Sequence, residues 1–229
     1  MLLRLLDQIN RRHPWSHNDA YAPVVVFAAR RVRRADGTSA LDVGCGTGHL
    51  VAQLAHELPD VTGLEADKTT ADLAAAATAH LPAVRIEHAS FPQPLGRRFD
   101  LVSMVAVLHH MPLTEGVRAA RQAVAPGGRL VVVGTYRETS SDWPLSLLSL
   151  ALNPLIGLVL HPRPVRRLPQ HMTAPIATAT DSYRDIAAVF RAELPGVSIH
   201  RAVFWRYLAC WHAPRDQEGV RLGVPSDHK

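Results

Sequence analysis

Leu41-Asp42-Val43-Gly44-Cys45-Gly46-Thr47-Gly48-His49-Leu50 is the stretch that decides the fold of this 229-residue chain. Ser39 to Val43 reads as a short buried strand, and three glycines at alternate positions then make a tight loop. His49 to Leu58 continues as a helix with Leu50, Val51 and Leu54 on one face. Glycines suit this loop because backbone must turn sharply and lie close to a ligand, where a Cβ would clash. The helix behind it offers free N–H groups and a positive dipole end, suited to a carboxylate or a phosphate. Glu65 follows the next strand-like run, Val61-Thr62-Gly63-Leu64, 17 residues beyond Gly48. From there a carboxylate can accept both hydroxyls of a ribose, as in doubly wound nucleotide-binding folds. The glycine spacing differs from the dinucleotide pattern G-x-G-x-x-G, which argues against NAD. A glycine turn in some other α/β protein is the competing reading; the strand, the helix and the spaced acid weigh against it.

Reading outward, Met1 to Arg12 places Leu2, Leu3, Leu5, Leu6 and Ile9 at helical spacing. His13-Pro14-Trp15-Ser16-His17-Asn18-Asp19-Ala20-Tyr21 follows. Ser16, Asn18 or Asp19 is expected to cap a helix that begins near Pro23 and runs to about Arg34. Beyond the second strand, Thr69 to His80 is an Ala-rich helix with Thr69 or Thr70 as its expected cap, and Val84 to His88 alternates like a third strand. Phe99 to Met111 reads as the fourth strand and its exit. Thr114 to Ala125 is a helix stopped by Pro126-Gly127-Gly128, and Arg129 to Val133 is the fifth strand. Leu145 to Leu160 is strongly apolar. Interrupted by Asn153 and Pro154, and short of the ~20 residues of a bilayer span, it predicts two short helices walling an apolar substrate. A membrane-surface role, helped by Arg163, Arg166 and Arg167, is the second reading. Asp181 to Leu194 is amphipathic, Ser198 to Cys210 reads as a closing antiparallel hairpin, and a frayed tail is expected from Ala213 on.

Asp42-x-Gly44-x-Gly46-x-Gly48, followed by Gly63-Leu64-Glu65, resembles the S-adenosylmethionine (SAM) site of class I, Rossmann-like methyltransferases. Leu108-His109-His110 after strand four and Pro126-Gly127-Gly128-x-Leu130 before strand five match the same family, so the resemblance runs from 39 to 135. His13 to Tyr21, and Phe204-Trp205-Arg206-Tyr207, resemble segments of bacterial small-molecule methyltransferases, in which the first folds over the cofactor. The resemblance implies a doubly wound, mostly parallel seven-stranded α/β sheet with helices on both faces and a closing antiparallel hairpin. An N-terminal helical cover would take residues 1–36 and the SAM domain 37–212, with an apolar lid insertion at 140–175 and a tail at 213–229. SAM and its product S-adenosylhomocysteine (SAH) are the implied cofactor pair. Asp42, Gly44, Gly46, Gly48, Glu65, Ala66, Ala89, Ser90, Val105 and Tyr21 are the implied contacts. Ser90 stands where the family usually has an Asp that accepts from the adenine amine, so the adenine bond is weaker here.

The formal charge of +5 is unevenly spread: residues 1–40 and 161–207 each carry +4, whereas 41–160 carry −3. The excess flanks the motif-bearing centre. With only Lys68 and Lys229 as lysines, an Arg-rich surface is favoured over a nucleic-acid interface. Two cysteines, Cys45 and Cys210, form neither a disulfide framework nor a zinc pattern. Arg4, Asp7, Arg11 and Arg12 interrupt any signal-peptide core, so a reduced, cytoplasmic location is expected.

Transfer from a sulfonium needs alignment and exclusion of water more than covalent help. A positioned base helps if the nucleophile is a hydroxyl or an acidic carbon. His109, His110 and His17, in that order of expected closeness to the methyl group, are the candidates, and backbone bonding is the competing role for each. The paired histidines lack an accompanying carboxylate set, so no metal is expected. A small-molecule O- or C-methyltransferase is the leading class. The exit of strand four lacks the Asn/Asp-Pro-Pro-aromatic run of base-amine methylases and any Pro-Cys nucleophile, and the apolar 145–160 segment favours an apolar substrate. A non-methylating SAM-bound cyclase or binding module, or an RNA or protein methyltransferase, is the alternative, and neither substrate nor oligomeric state is legible.

Overall fold

The structure is a computed structural model and describes residues 12, 13, 15, 18, 20–160 and 179–215. The helix expected over Met1 to Arg12 and most of the lid beyond Leu160 lie outside the described residues. In chain order the elements are α1 (Ala22–Arg33), β1 (Ser39–Val43), α2 (His49–Ala55), β2 (Asp60–Glu65), α3 (Lys68–Thr78), β3 (Val84–His88) and β4 (Phe99–Val105). A 3-10 turn (Leu108–His110) leads to α4 (Leu113–Ala123), β5 (Val124–Thr135), a second 3-10 turn (Ser140–Asp142), α5 (Trp143–Leu160), α6 (Tyr183–Glu193), β6 (Ser198–Ala202) and β7 (Arg206–His212).

Seven strands form one sheet in the order β3-β2-β1-β4-β5-β7-β6. The first five are parallel, and β7 and β6 close the sheet as an antiparallel hairpin. Parallel strands buried on both faces read as continuous apolar runs, and β1, β4 and β5 do so because both of their faces are covered. Leu41, Val43, Val102, Met104 and Val132 pack on one face with Val117 and Ala120 of α4 and Phe190 of α6. Ala40, Leu101 and Val131 pack on the other with Val25 and Ala29 of α1 and Val51 and Leu54 of α2. This alternation of neighbours follows from the period-2 side-chain geometry of a strand.

Several local expectations are corrected. Tyr21, with no side-chain cap bond, precedes α1, where Pro23 in the first turn removes one N–H that would need an acceptor. Asp67 caps α3 by accepting from the Thr70 N–H at 2.8 Å, because a carboxylate serves the helix dipole better than a threonine hydroxyl. Strand β5 begins at Val124, so Pro126-Gly127-Gly128 lies within its first half. Ala213 donates to the Gly128 carbonyl and Gly127 to that of Pro214, so the chain stays bonded past 213 instead of fraying there. The apolar 143–160 stretch is one helix, with Pro154 inside it. Its one missing N–H is tolerated because neighbouring segments grip the helix. The Trp15 indole donates to Asn153 Oδ1 at 2.8 Å, Gly157 packs on His13 backbone, and Ser149 Oγ accepts from the Phe204 N–H at 2.8 Å. By length and composition, Ser140–Val159 is the one described segment apolar enough to span a bilayer. Trp143, Leu147, Leu155, Leu158 and Val159 are exposed on it.

Tyr207 lies directly over Gly134, its partner across the β5–β7 pair, and is 1% exposed. A methyl group at 134 would meet the ring, and the ring has no room to retreat. Gly134→Ala is expected to cost about 1–3 kcal/mol, read as a lower urea midpoint with an unchanged slope.

Candidate functional site

The register of β1, β2, β3 and β4 delivers the predicted residues to the carboxyl edge of the sheet. Gly44, Gly46 and Gly48 have φ of +69°, +54° and +83°, left-handed values that suit glycine. At Gly44 a Cβ would fall 2.6 Å from Val107, so the loop packs directly on the exit of β4. A Cβ at Gly46 would meet no protein atom within 4 Å, which leaves the loop's outer side open to a ligand. Gly48 begins the short helix α2. Glu65 ends β2, and its two carboxylate oxygens accept from the Gly46 N–H at 2.9 Å and the Asp67 N–H at 3.0 Å. One carboxylate thus ties the glycine loop to β2 and keeps spare lone pairs on both oxygens.

The β2–β3 pairing places Ala66, Ala89 and Ser90 beside Glu65, with the Ala89 N–H donating to the Glu65 carbonyl at 3.0 Å. Ser90 is exposed there. Val105 ends β4. Ala106 then takes φ +55° and donates to the Val133 carbonyl at 2.7 Å, turning the chain into the Leu108–His110 turn. Glycine loop, acid and β4 exit are therefore adjacent, as the sequence predicts.

Asp42 is buried beneath the loop and accepts from Ser103 Oγ at 2.7 Å, its neighbour across β1–β4. Burial pushes its pKa up to about 7; the Ser103 bond lowers it in part and the Glu65 charge adds to the rise. Cys45, buried beside both acids, has its thiol raised by the same desolvation and is held protonated.

His109 and His110 stand with ring centroids 4.2 Å apart. His109 Nδ1 is buried without a hydrogen-bond partner. Burial, then the neighbouring His110 and Arg206, lowers its pKa to about 4, well under the ordinary imidazole value. The third histidine of the sequence reading, His17, lies outside the described residues. Tyr21 is buried and donates its hydroxyl to the Val203 carbonyl at 2.6 Å, pinning α1 to the β6–β7 connection.

That connection carries the Phe-Trp-Arg-Tyr run whose resemblance to bacterial small-molecule methyltransferases assigns no role to any one of its residues. Phe204 and Trp205 take φ of +61° and +55°, a left-handed region costly for bulky side chains. Phe204 is held there by Ser149 and by an edge-on contact with Trp15 at 4.9 Å. Arg206 follows at once, paired in register with Thr135 at the end of β5. Its Nη2 donates to Asn18 Oδ1 at 3.2 Å. The sequence signal was the Phe-Trp-Arg-Tyr run itself, which no spacing rule ties to a site. A groove of about 530 Å³ lies at the opposite edge, near the starts of β4 and β5, lined by Arg98, Arg121, Val124 and Trp211 among others. It holds none of the predicted residues, and open α/β sheets take their ligands at the carboxyl edge.

Asp42 supports a pH test on the ligand-free protein. A carboxyl whose folded pKa lies above its unfolded value contributes stability below the unfolded value and loses it as pH rises through about 7. Asp42→Asn keeps the acceptor for Ser103 and removes the charge. The variant is expected to melt higher than wild type at pH 8, with a gap that narrows by pH 5.5.

The family described as "Methyltransferase domain" matches residues 41–130. An uncharacterised methyltransferase of Mycobacterium tuberculosis is 32% identical over 184 residues, covering 76% of this chain and 86% of the relative. A ubiquinone biosynthesis O-methyltransferase of Photorhabdus laumondii is 30% identical over 117 residues, about half of each chain (49% and 48%). Among solved structures, the SAM-bound amino pentose methyltransferase CalS10 of Micromonospora echinaspora superposes with a TM-score of 0.58 at 20% identity, covering 91% of this chain and 96% of that one. The open, left-handed glycine loop and the acid at the end of β2 fit the cofactor of that fold, and this chain belongs to the class I SAM-dependent methyltransferases.

Proposed function

We propose that the enzyme moves the methyl group of SAM to an oxygen or carbon of a small, apolar or natural-product-like acceptor, with His109 as the positioned base. The observation that carries this reading is the half-buried His109 ring at the exit of β4, its Nδ1 aimed into the protein with no partner. Bound SAM supplies a methyl group on a sulfonium, a leaving group that asks little covalent help. Gly44, Gly46 and Gly48 would lie against its amino-acid end, and Glu65 would accept the ribose hydroxyls. Ala66, Ala89, Ser90 and Val105 would border the adenine. Asp42 supports the loop from below through Ser103. Tyr21, its hydrogen committed to Val203, would close the site as part of the cover.

An imidazole kept neutral by burial is free to take a proton from an acceptor hydroxyl at once, though a lowered pKa makes it a weak base. Water kept away from the half-buried ring would favour transfer. His110, exposed beside it, would tune the base without receiving the proton itself. The exposed apolar face of α5 and the name of the ubiquinone-pathway relative both support a small apolar acceptor methylated on oxygen.

Two outcomes test the cofactor half. Glu65→Ala is expected to weaken SAM binding by roughly 10- to 150-fold in calorimetry, the loss of charge-assisted hydrogen bonds worth ~1.5–3 kcal/mol. Gly46→Val is expected to abolish binding while circular dichroism shows the fold retained, since the added side chain points into open space and not into protein. Normal binding by Glu65→Ala would place the ribose elsewhere.

For the chemistry, His109→Gln is expected to leave SAH affinity within about twofold and to lower turnover by ~10²-fold or more. The base works unprotonated, so the wild-type rate is flat through neutral pH and falls only as pH drops toward about 4. Radiolabelled-methyl transfer into a metabolite panel, followed by mass identification of the product, reads both the acceptor and the rate. Unchanged turnover in His109→Gln removes His109 as base.

A further inference from the structure

Arg206 is a half-buried cation with no carboxylate partner among the described residues. Its Nε is buried and without an acceptor, and among the described residues its one hydrogen bond goes to the neutral carbonyl oxygen of Asn18. Among the described residues no carboxylate compensates its charge and Tyr21 alone does so, while burial lowers its pKa. Arg201, on the neighbouring strand β6, has the counter-charge that Arg206 lacks: its Nε lies 2.8 Å from the buried Asp142 Oδ1, close enough for an ion pair though not aligned as a hydrogen bond, and its guanidinium lies 4.4 Å from the Tyr183 ring centroid. A partly desolvated guanidinium without a counter-charge is costly, and none of the described residues supplies the anion that would pair it.

Two more orphaned atoms lie around it. Thr135 Oγ1 is buried without a partner on the residue paired in register with Arg206, and His109 Nδ1 is buried without a partner within electrostatic reach. Three elements, the ends of β4 and β5 and the start of β7, thus bring an unpaired cation, a hydroxyl and an imidazole to one edge. Phe204 and Trp205, in their left-handed conformations, hold Arg206 at that position. Such strain is retained where surrounding structure enforces it, here through Ser149 and Trp15.

We propose that Arg206, with Thr135 beside it, forms an anion subsite in the acceptor pocket, and that the methyl acceptor therefore carries a carboxylate. This rests on the acceptor binding beside His109, as argued above. A single guanidinium and one hydroxyl match a planar monoanion. Burial is the main cause that holds His109 below its ordinary pKa, and a bound carboxylate would offset the smaller contribution of the Arg206 charge. It would thereby strengthen the base only when the acceptor is in place. The apolar wall of α5 would then take the remainder of a molecule with one acidic end.

The test uses the full chain saturated with SAH and sodium acetate as the probe, exchanged for sodium chloride at constant ionic strength. The readout is the His109 ring signal in NMR spectra, identified by its loss in His109→Gln. Wild type is expected to show a saturable shift with a midpoint on the order of 10 mM or below. Arg206→Gln is expected to weaken it at least ~10-fold, Arg206→Lys and Thr135→Val by roughly 3- to 10-fold, and SAH affinity is expected to stay within about twofold in all three. No saturable shift in wild type, or an unchanged midpoint in Arg206→Gln, overturns the proposal. So does a ~10-fold loss of SAH affinity in that variant, which would assign the guanidinium to the cofactor's own carboxylate. If Arg206→Gln does not fold, unchanged midpoints in both Arg206→Lys and Thr135→Val overturn it instead. Methyl transfer to neutral acceptors with no acetate response removes the subsite and leaves His109 standing. An acetate response with full turnover in His109→Gln does the reverse.

Discussion

The hydrogen bond from the Gly46 N–H to Glu65 is the contact on which the site depends. It joins the loop after β1 to the end of β2, and so turns two neighbouring strand ends into one concave surface. Without it the loop would be free to follow its glycines into other conformations, since glycine imposes little backbone preference of its own. The constraint is relayed downward as well. Asp42 and Ser103 bond across β1 and β4 beneath the loop, and Val107 packs against Gly44 from the other side. Three strand ends are thereby locked in one arrangement before any ligand arrives, which lowers the ordering cost of binding.

Above this base sits a second assembly built from segments far apart in the chain. Trp15, Asn153, Ser149, Phe204, Tyr21 and Val203 connect the N-terminal cover, α5 and the β6–β7 connection through hydrogen bonds and one edge-on aromatic pair. The hydrogen-bonded partners are 55 to 182 residues apart in sequence. Cover, lid helix and hairpin therefore form one roof, and the left-handed backbone at Phe204 and Trp205 is what that roof enforces. In the proposed function, substrate selection would belong to this roof and cofactor binding to the sheet edge below it, a division common where function is grafted on a shared fold.

Electrostatics couple the two layers. Burial pushes the Asp42 pKa up and the His109 and Arg206 pKa values down, in each case by disfavouring the charged form. Asp42 gains a hydroxyl donor and His109 a second imidazole, but Arg206 gains only an amide. The imbalance lies at Arg206, where, in the proposal above, a ligand would correct it.

Much of this was legible in the linear chain. The glycine loop, the acid 17 residues on, the order of the βα units and the Leu-His-His exit all follow from local chemistry, because turns, strand patterning and helix starts depend on neighbours in sequence. Where a local preference met a stronger tertiary one, the local reading failed. Pro154 does not end α5, since Trp15, Ser149 and Gly157 anchor the helix on both sides of it. Asp67 outcompeted the threonines at the start of α3 through its charge. Arg206 could not be singled out at all. One arginine among many carries no signal until the β5–β7 register sets it beside Thr135 and the cover brings Asn18 to it. Sequence alone determined which residues build the cofactor edge, because that edge is made of local turns. Only the tertiary structure decided which charge is left unpaired, because burial and the absence of a partner are properties of the packed chain.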